Sequence, residues 1–211
     1  AIGLMGVALR LPKFFIFRYW RSILILLGPV IVLIWLVSGV LVFYISGLSF
    51  WVAMLIGGIL TPTDPILASN IVTGKLAEKH IPGVVRQVIS SESGLNAGLA
   101  YLFIYLPVFL LQMQPADAAR HWLFTVLLRE VLGGLLIGII LGYLAGFVMR
   151  WAESKSFIGR TSLSAYTLAL SLTALGATRL IGSDGLLAVF AAGAAFSFVI
   201  PEKERDRQEH L

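Results

Sequence analysis

The sequence contains no cysteine, which removes any disulfide framework and any thiolate metal site while arguing for no particular compartment. Charge is scarce too. Asp, Glu, Lys and Arg together make up 13% of the 211 residues, about half the usual share of a soluble domain. A chain this poor in charge, 58% hydrophobic and with a mean hydropathy of +0.92, cannot clothe itself in water-compatible side chains. It reads as an all-α polytopic membrane protein whose first partner is the lipid bilayer. Histidine is limited to His80, His121 and His210, which fall in loops or at the ends of apolar runs, and no pair has metal-ligand spacing. Neither a GxSG string with a mid-membrane His nor a GxGD motif is present, so the intramembrane serine and aspartyl protease classes find no support; the nearest strings are SESG at 91–94 and GSDG at 182–185. No enzymatic activity and no cofactor are expected. The net charge of +5 does not signal nucleic acid, because the basic residues lie in short gaps between apolar runs instead of sharing a patch.

What the chain has in abundance is apolar runs of spanning length. Residues 1–11 read as the tail of a span whose start is missing, followed by a basic, aromatic interfacial segment from Pro12 to Arg21. Ser22–Ser46 then has the length to cross about 30 Å of hydrocarbon. Further runs cover Phe50–Gly74, Val84–Gln112, His121–Arg150, Thr161–Ile181 and Leu186–Ile200, which gives six complete spans and one partial one in a single transmembrane domain over 1–211. The balanced, charged tail from Pro201 reads as leading into a part not present. Arg129 and Glu130 read as a wet pair in the first turns of a long, tilted helix, and Arg179 with Asp184 as solvated or paired beside a turn. Gly134, Gly138, Gly142 and Gly146 predict a flat stripe for close helix packing.

The basic residues set the orientation. Strict alternation puts the loops at 10–21, 75–86 and 150–160 and the C-terminal tail on one side, and these hold all but a few of the Lys and Arg; that side is predicted to be cytoplasmic.

Two stretches interrupt the apolar runs. Thr61-Pro62-Thr63-Asp64-Pro65 sets a carboxylate between two prolines, and Ser90-Ser91-Glu92-Ser93-Gly94-Leu95-Asn96-Ala97 sets another carboxylate and an amide on the following run. Proline lacks an N–H and obstructs helical bonding, so a helix broken at Thr61–Pro65 is predicted, with free carbonyls facing an ion or water. Intramembrane acids are costly and mark ion paths by default. Counting at about 1.5 Å per residue places Asp64 and Asn96 at similar depth, and Glu92 and Asn96, four apart, share a helix face. The bland readings stand beside this: Asp64 as a simple helix-breaking turn, Glu92 as a buried acid bonded to a neighbouring helix, and Ser93 or Asn96 as interhelical glue.

TPTDP on a broken span, followed about thirty residues later by ESxLN and then by the GSDGLLAVFAAG run, resembles the monovalent cation/proton antiporters of the electroneutral sodium/proton exchanger type. The resemblance covers nearly all of the chain. It implies an inverted-repeat antiporter fold with the ion-binding core at 50–112, and exchange of Na⁺ or another alkali cation for H⁺ by alternating access. It also implies a homodimer at full length, in the cell or inner membrane. By the same resemblance Asp64, Thr63 and Ser93 are Na⁺ ligands, Asn96 is the neutral member of an Asn-Asp pair, and Glu92 is an accessory carboxylate. Two departures matter. Ala97 stands where the motif carries Asp, which reads as an introduced, inactivating substitution, and the chain has about half the spans of the family, lacking the second broken helix and the basic residue that would face Glu92. The competing readings are an oligomeric cation channel and a structural membrane-helix fragment.

Overall fold

A computed structural model describes residues 1–155 and 162–200; Arg160, the tail from 201 to 211 and His210 therefore lie outside the described residues. Every regular element among those described is a helix. In chain order these are α1 (Ile2–Arg10), α2 (Phe15–Arg18), α3 (Trp20–Ser46), α4 (Phe50–Leu60), α5 (Pro65–Val72), α6 (Lys75–His80), α7 (Gly83–Gln112), α8 (Pro115–Ala152), α9 (Ser162–Ile181) and α10 (Gly185–Val199).

Helices α3, α7 and α8 are long and apolar enough to cross a membrane, and α4 with α5 makes a fourth if the bent pair is counted as one span. The polytopic, all-helical class is thus in place. The remaining two predicted spans are of a different kind. Helix α9 carries Ser162, Ser164, Thr167, Ser171, Thr173, Thr178 and Arg179, which dilute its apolar character, and α10 has 15 residues, or about 22 Å of helix against about 30 Å of hydrocarbon.

Short as it is, α10 is the hub. Leu187 to Ala192, Ala195 and Phe196 are all buried, with α1, α7, α8 and α9 packed around them. The predicted glycine stripe explains how α8 comes so close. A Cβ on Gly134 would lie 2.5 Å from the Asp184 carbonyl oxygen, and one on Gly138 or Gly142 would overlap the carbonyls of Ala188 or Ala192. Helix α1 fills the other side, with Leu4, Met5, Val7, Ala8 and Leu9 buried in the same cluster as Val189, Phe190 and Phe196.

The first hairpin is held separately. Helix α3 ends at Gly47, whose left-handed φ of 66° turns the chain, and α4 returns with Gly57 against Gly39 while Trp35 Nε1 donates to the Met54 carbonyl at 2.9 Å. Helix α4 then meets α7, where a Cβ on Gly58 would lie 2.7 Å from the Phe103 carbonyl oxygen. Two stretches depart from α geometry: Leu26–Val30 around Pro29, and Trp122–Leu132 in α8. Proline inside the helix accounts for the first. The second contains neither Pro nor Gly.

Candidate functional site

The break predicted at 61–65 is present. Helix α4 stops at Leu60, α5 starts at Pro65, and the two are bent by 41°. Local chemistry fixes both sides of the gap. Thr61 Oγ1 donates back to the Gly57 carbonyl at 2.7 Å and closes the end of α4. Asp64 caps α5: its Oδ1 accepts from the Ile66 N–H at 2.7 Å and the Leu67 N–H at 3.4 Å, with Pro65 at the first helical position, where a missing N–H costs nothing. The carboxylate thus serves as a helix cap as well as standing in the break.

Helix α7 presents its motif to this gap. Thr63 Oγ1 donates to Glu92 Oε2 at 3.1 Å, and Asn96 Nδ2 donates to Glu92 Oε1 at 3.0 Å and lies 3.5 Å from Thr63 Oγ1. Thr63, Glu92 and Asn96 therefore form one cluster across the two helices. Asn96 is buried, with its Oδ1 lacking a hydrogen-bond partner among the described residues. An amide oxygen so placed is an open acceptor.

The other candidates are placed differently. Ser93 is fully buried and its hydroxyl donates to the Ser90 carbonyl of its own helix at 3.3 Å. Ala97, one residue round from Asn96, is half-buried and packs on the apolar cluster built by α1 and α10. The structure thus brings Thr63, Glu92 and Asn96 into contact, sets Asp64 beside them in the chain, and turns Ser93 and position 97 toward other surroundings. Among the described residues no group of three or more His, Asp or Glu is arranged to hold a metal ion.

Glu92 is the cluster's hub, so Glu92→Ala should strip the buried Asn96 amide of its short bond. A destabilisation of about 1–3 kcal/mol is expected, read as a lower melting temperature in detergent, whereas Glu92→Gln keeps an acceptor and should melt close to the parent. Equal melting of parent and Glu92→Ala would show that the cluster holds nothing together.

Asp184 corrects the sequence reading. Expected to be solvated or paired beside its turn, it is buried at 3% exposure, and no ion pair holds it among the described residues. Its Oδ1 caps α10 through the N–H groups of Leu186 at 2.9 Å and Leu187 at 3.4 Å, and its Oδ2 has no partner among the described residues. Helix α7 passes directly over it, since a Cβ on Gly98 would lie 2.5 Å from that Oδ2. Gly94 and Gly98 were the available signal: four apart within SESGLNAG, they are the face that α7 lays on Phe190 and Leu187 of α10. Arg129 and Glu130 lock the same turn. Arg129 donates to the Ile181 carbonyl at 2.9 Å, and the carbonyls of Arg129 and Glu130 accept from Ser183 Oγ at 3.0 Å and the Asp184 N–H at 3.1 Å. Arg129 is exposed, as expected, but Glu130 is half-buried.

Residues 4–210 match the family model described as sodium/hydrogen exchanger, transmembrane. A probable Na⁺/H⁺ antiporter of Schizosaccharomyces pombe is 35% identical over 213 residues, covering all of this chain and 28% of the relative. Na⁺/H⁺ antiporter 2 of Zygosaccharomyces rouxii is 36% identical over 200 residues, covering 93% of the chain and 25% of the relative. A Na⁺/H⁺ antiporter of Saccharomyces cerevisiae is 37% identical over 201 residues, covering 93% of the chain and 20% of the relative. The chain thus spans between 20% and 28% of the length of these three relatives.

Proposed function

The chain belongs to the transmembrane sodium/hydrogen exchanger family, and from that premise we propose that it is the ion-binding portion of a secondary transporter exchanging Na⁺, or another alkali cation, for H⁺ by alternating access. One observation carries the reading: a helix broken at Thr61–Asp64 meets Glu92 and Asn96 of the next span, where Asn96 Oδ1 is an acceptor without a donor among the described residues. Broken spans whose ends face polar side chains are where alkali cations find oxygen ligands in membranes. Asp64, Thr63 and Asn96 supply such oxygens at the gap, with Glu92 holding Thr63 and Asn96 in place. Ser93 joins the ligand set through the lone pairs of its Oγ, which stay available while its O–H donates to the Ser90 carbonyl.

The rest of the proposal follows from the family and from charge. The basic loops at 10–21, 75–86 and 150–160 face the cytoplasm of the cell or inner membrane, the complete transporter contains an inverted repeat and pairs as a homodimer, and Ala97 leaves the chain as given without exchange. A channel assembled from several copies is the other reading, and the two differ in what drives flux. The full-length chain with Asp at position 97, reconstituted in liposomes with a pH gradient, should move Na⁺ against its own gradient at the expense of protons. In the same background Asp64→Asn should abolish that movement. Na⁺ flux that follows only the Na⁺ gradient would overturn exchange in favour of a channel.

A further inference from the structure

The junction between α1 and α3 holds four cations, Arg10, Lys13, Arg18 and Arg21, in a part of the chain whose first carboxylate in sequence is Asp64. No carboxylate of the described residues pairs with any of them; the ion pair found, Arg86 with Glu78 at 3.9 Å, lies elsewhere. The segment is anchored, not loose. Leu11 and Phe15 are buried in or beside the core, while Phe14 and Phe17 both pack on Phe198 at the end of α10, with ring centroids 5.1 and 6.1 Å apart. Phe14 takes a left-handed φ of 61°, costly for a bulky residue, and is nonetheless 65% exposed. Phe17 and Trp20 are 68% and 51% exposed. Two guanidinium groups lie over neighbouring rings, Arg18 over Tyr19 at 5.9 Å and Arg21 over Trp20 at 5.6 Å.

The result is an aromatic surface at one end of the span Trp20–Ser46 whose positive charge meets no carboxylate among the described residues. Aromatic rings of this kind lie at the level of lipid headgroups, and clustered Lys and Arg beside a span draw anionic lipid. We infer that the Arg10–Arg21 segment is a binding site for the phosphate headgroups of anionic phospholipids, with Phe14, Phe17 and Trp20 set among the upper acyl carbons and Arg18 and Arg21 on the phosphate. Charge complementarity selects this occupant, because a zwitterionic headgroup returns as much positive charge as it neutralises.

The test uses the full chain reconstituted in phosphatidylcholine bilayers containing a trace of spin-labelled phosphatidylglycerol or spin-labelled phosphatidylcholine. The immobilised fraction of each label reports its association with the protein. A preference of about fivefold for phosphatidylglycerol is expected, the scale of a single well-placed cation at a membrane surface, and it should weaken in high salt. Arg18→Gln with Arg21→Gln should abolish the preference, while Arg18→Lys with Arg21→Lys should keep it, which separates charge from misfolding. Lys75→Gln with Lys79→Gln, both exposed on helix α6, should leave it unchanged. No preference in the parent, a preference untouched by the Gln pair at 18 and 21, or equal loss from the pair at 75 and 79 would each overturn the assignment.

Discussion

Ala97→Asp in the full-length chain is expected to raise sodium-driven proton flux from background to a readily measured rate. Ala97 offers no ligand and no proton, and Asn96 beside it cannot ionise, so the described cluster holds one carboxylate, Glu92, which is already engaged by Thr63 and Asn96. An Asp at position 97 would place a second carboxylate one residue round the helix, half-buried beside the α1 and α10 cluster, where water is scarce. A proton and a cation then compete for it. Each Na⁺ bound displaces a proton, so the apparent Na⁺ affinity should fall by about tenfold per pH unit once the free carboxyl is protonated. Calorimetric titration of Na⁺ across a pH series checks this. Affinity that stays flat where transport switches off would refute competition at position 97, and Na⁺-dependent proton flux from the Ala97 chain itself would refute its silence.

Gly142→Val should bring the largest loss of stability, about 3 kcal/mol or more, because the new side chain meets backbone that cannot give way. A Cβ at this position overlaps the Ala192 carbonyl oxygen and lies 2.8 Å from Ala195 Cβ, both on the hub helix α10. Relief requires α8 to move off α10 along the whole stripe, since Gly134, Gly138 and Gly146 make the same close approach. Gly176→Ala is the contrasting change: nothing lies within 4 Å of its added Cβ, and Ala favours helix over Gly by up to about 1 kcal/mol. Melting curves in detergent should therefore move in opposite directions. A Gly142→Val protein that melts with the parent would mean that α8 and α10 are not packed as described.

The sequence revealed what rests on composition and on local backbone chemistry. The break at Thr61–Pro65, the long spans α3, α7 and α8, and the close stripe of α8 all follow from hydropathy, proline and the spacing of glycine, which act within a few residues. The contact between Thr63 and the Glu92–Asn96 face was also within reach, because depth along two consecutive spans can be counted. Tertiary packing was beyond it. That Asp184 is buried under Gly98 depends on a crossing between α7 and α10, some ninety residues apart, and no local pattern states which face of a helix meets which partner. The hydroxyl bonds of the serines were also beyond it: a serine within a helix can donate to its own preceding turn, as Ser90, Ser91 and Ser93 all do.

The wide turns at Trp122–Leu132 have a consequence for chain length. Because each turn there takes in roughly one residue more than an α turn, the eleven residues complete about two and a half turns where an α-helix would complete three. The two ends of α8 are therefore out of phase by about half a turn, and side-chain directions cannot be extrapolated from the glycine stripe back to Pro115. A relative shorter by one residue within this stretch could absorb the loss by tightening a turn. Both flanks would then keep their bearings, α8 retaining its grip on α10 and the Trp122 indole its bond to the Leu102 carbonyl at 2.7 Å. Gaps in alignments of related chains should accordingly gather between Trp122 and Leu132, while the spacing from Gly134 to Gly146 stays fixed.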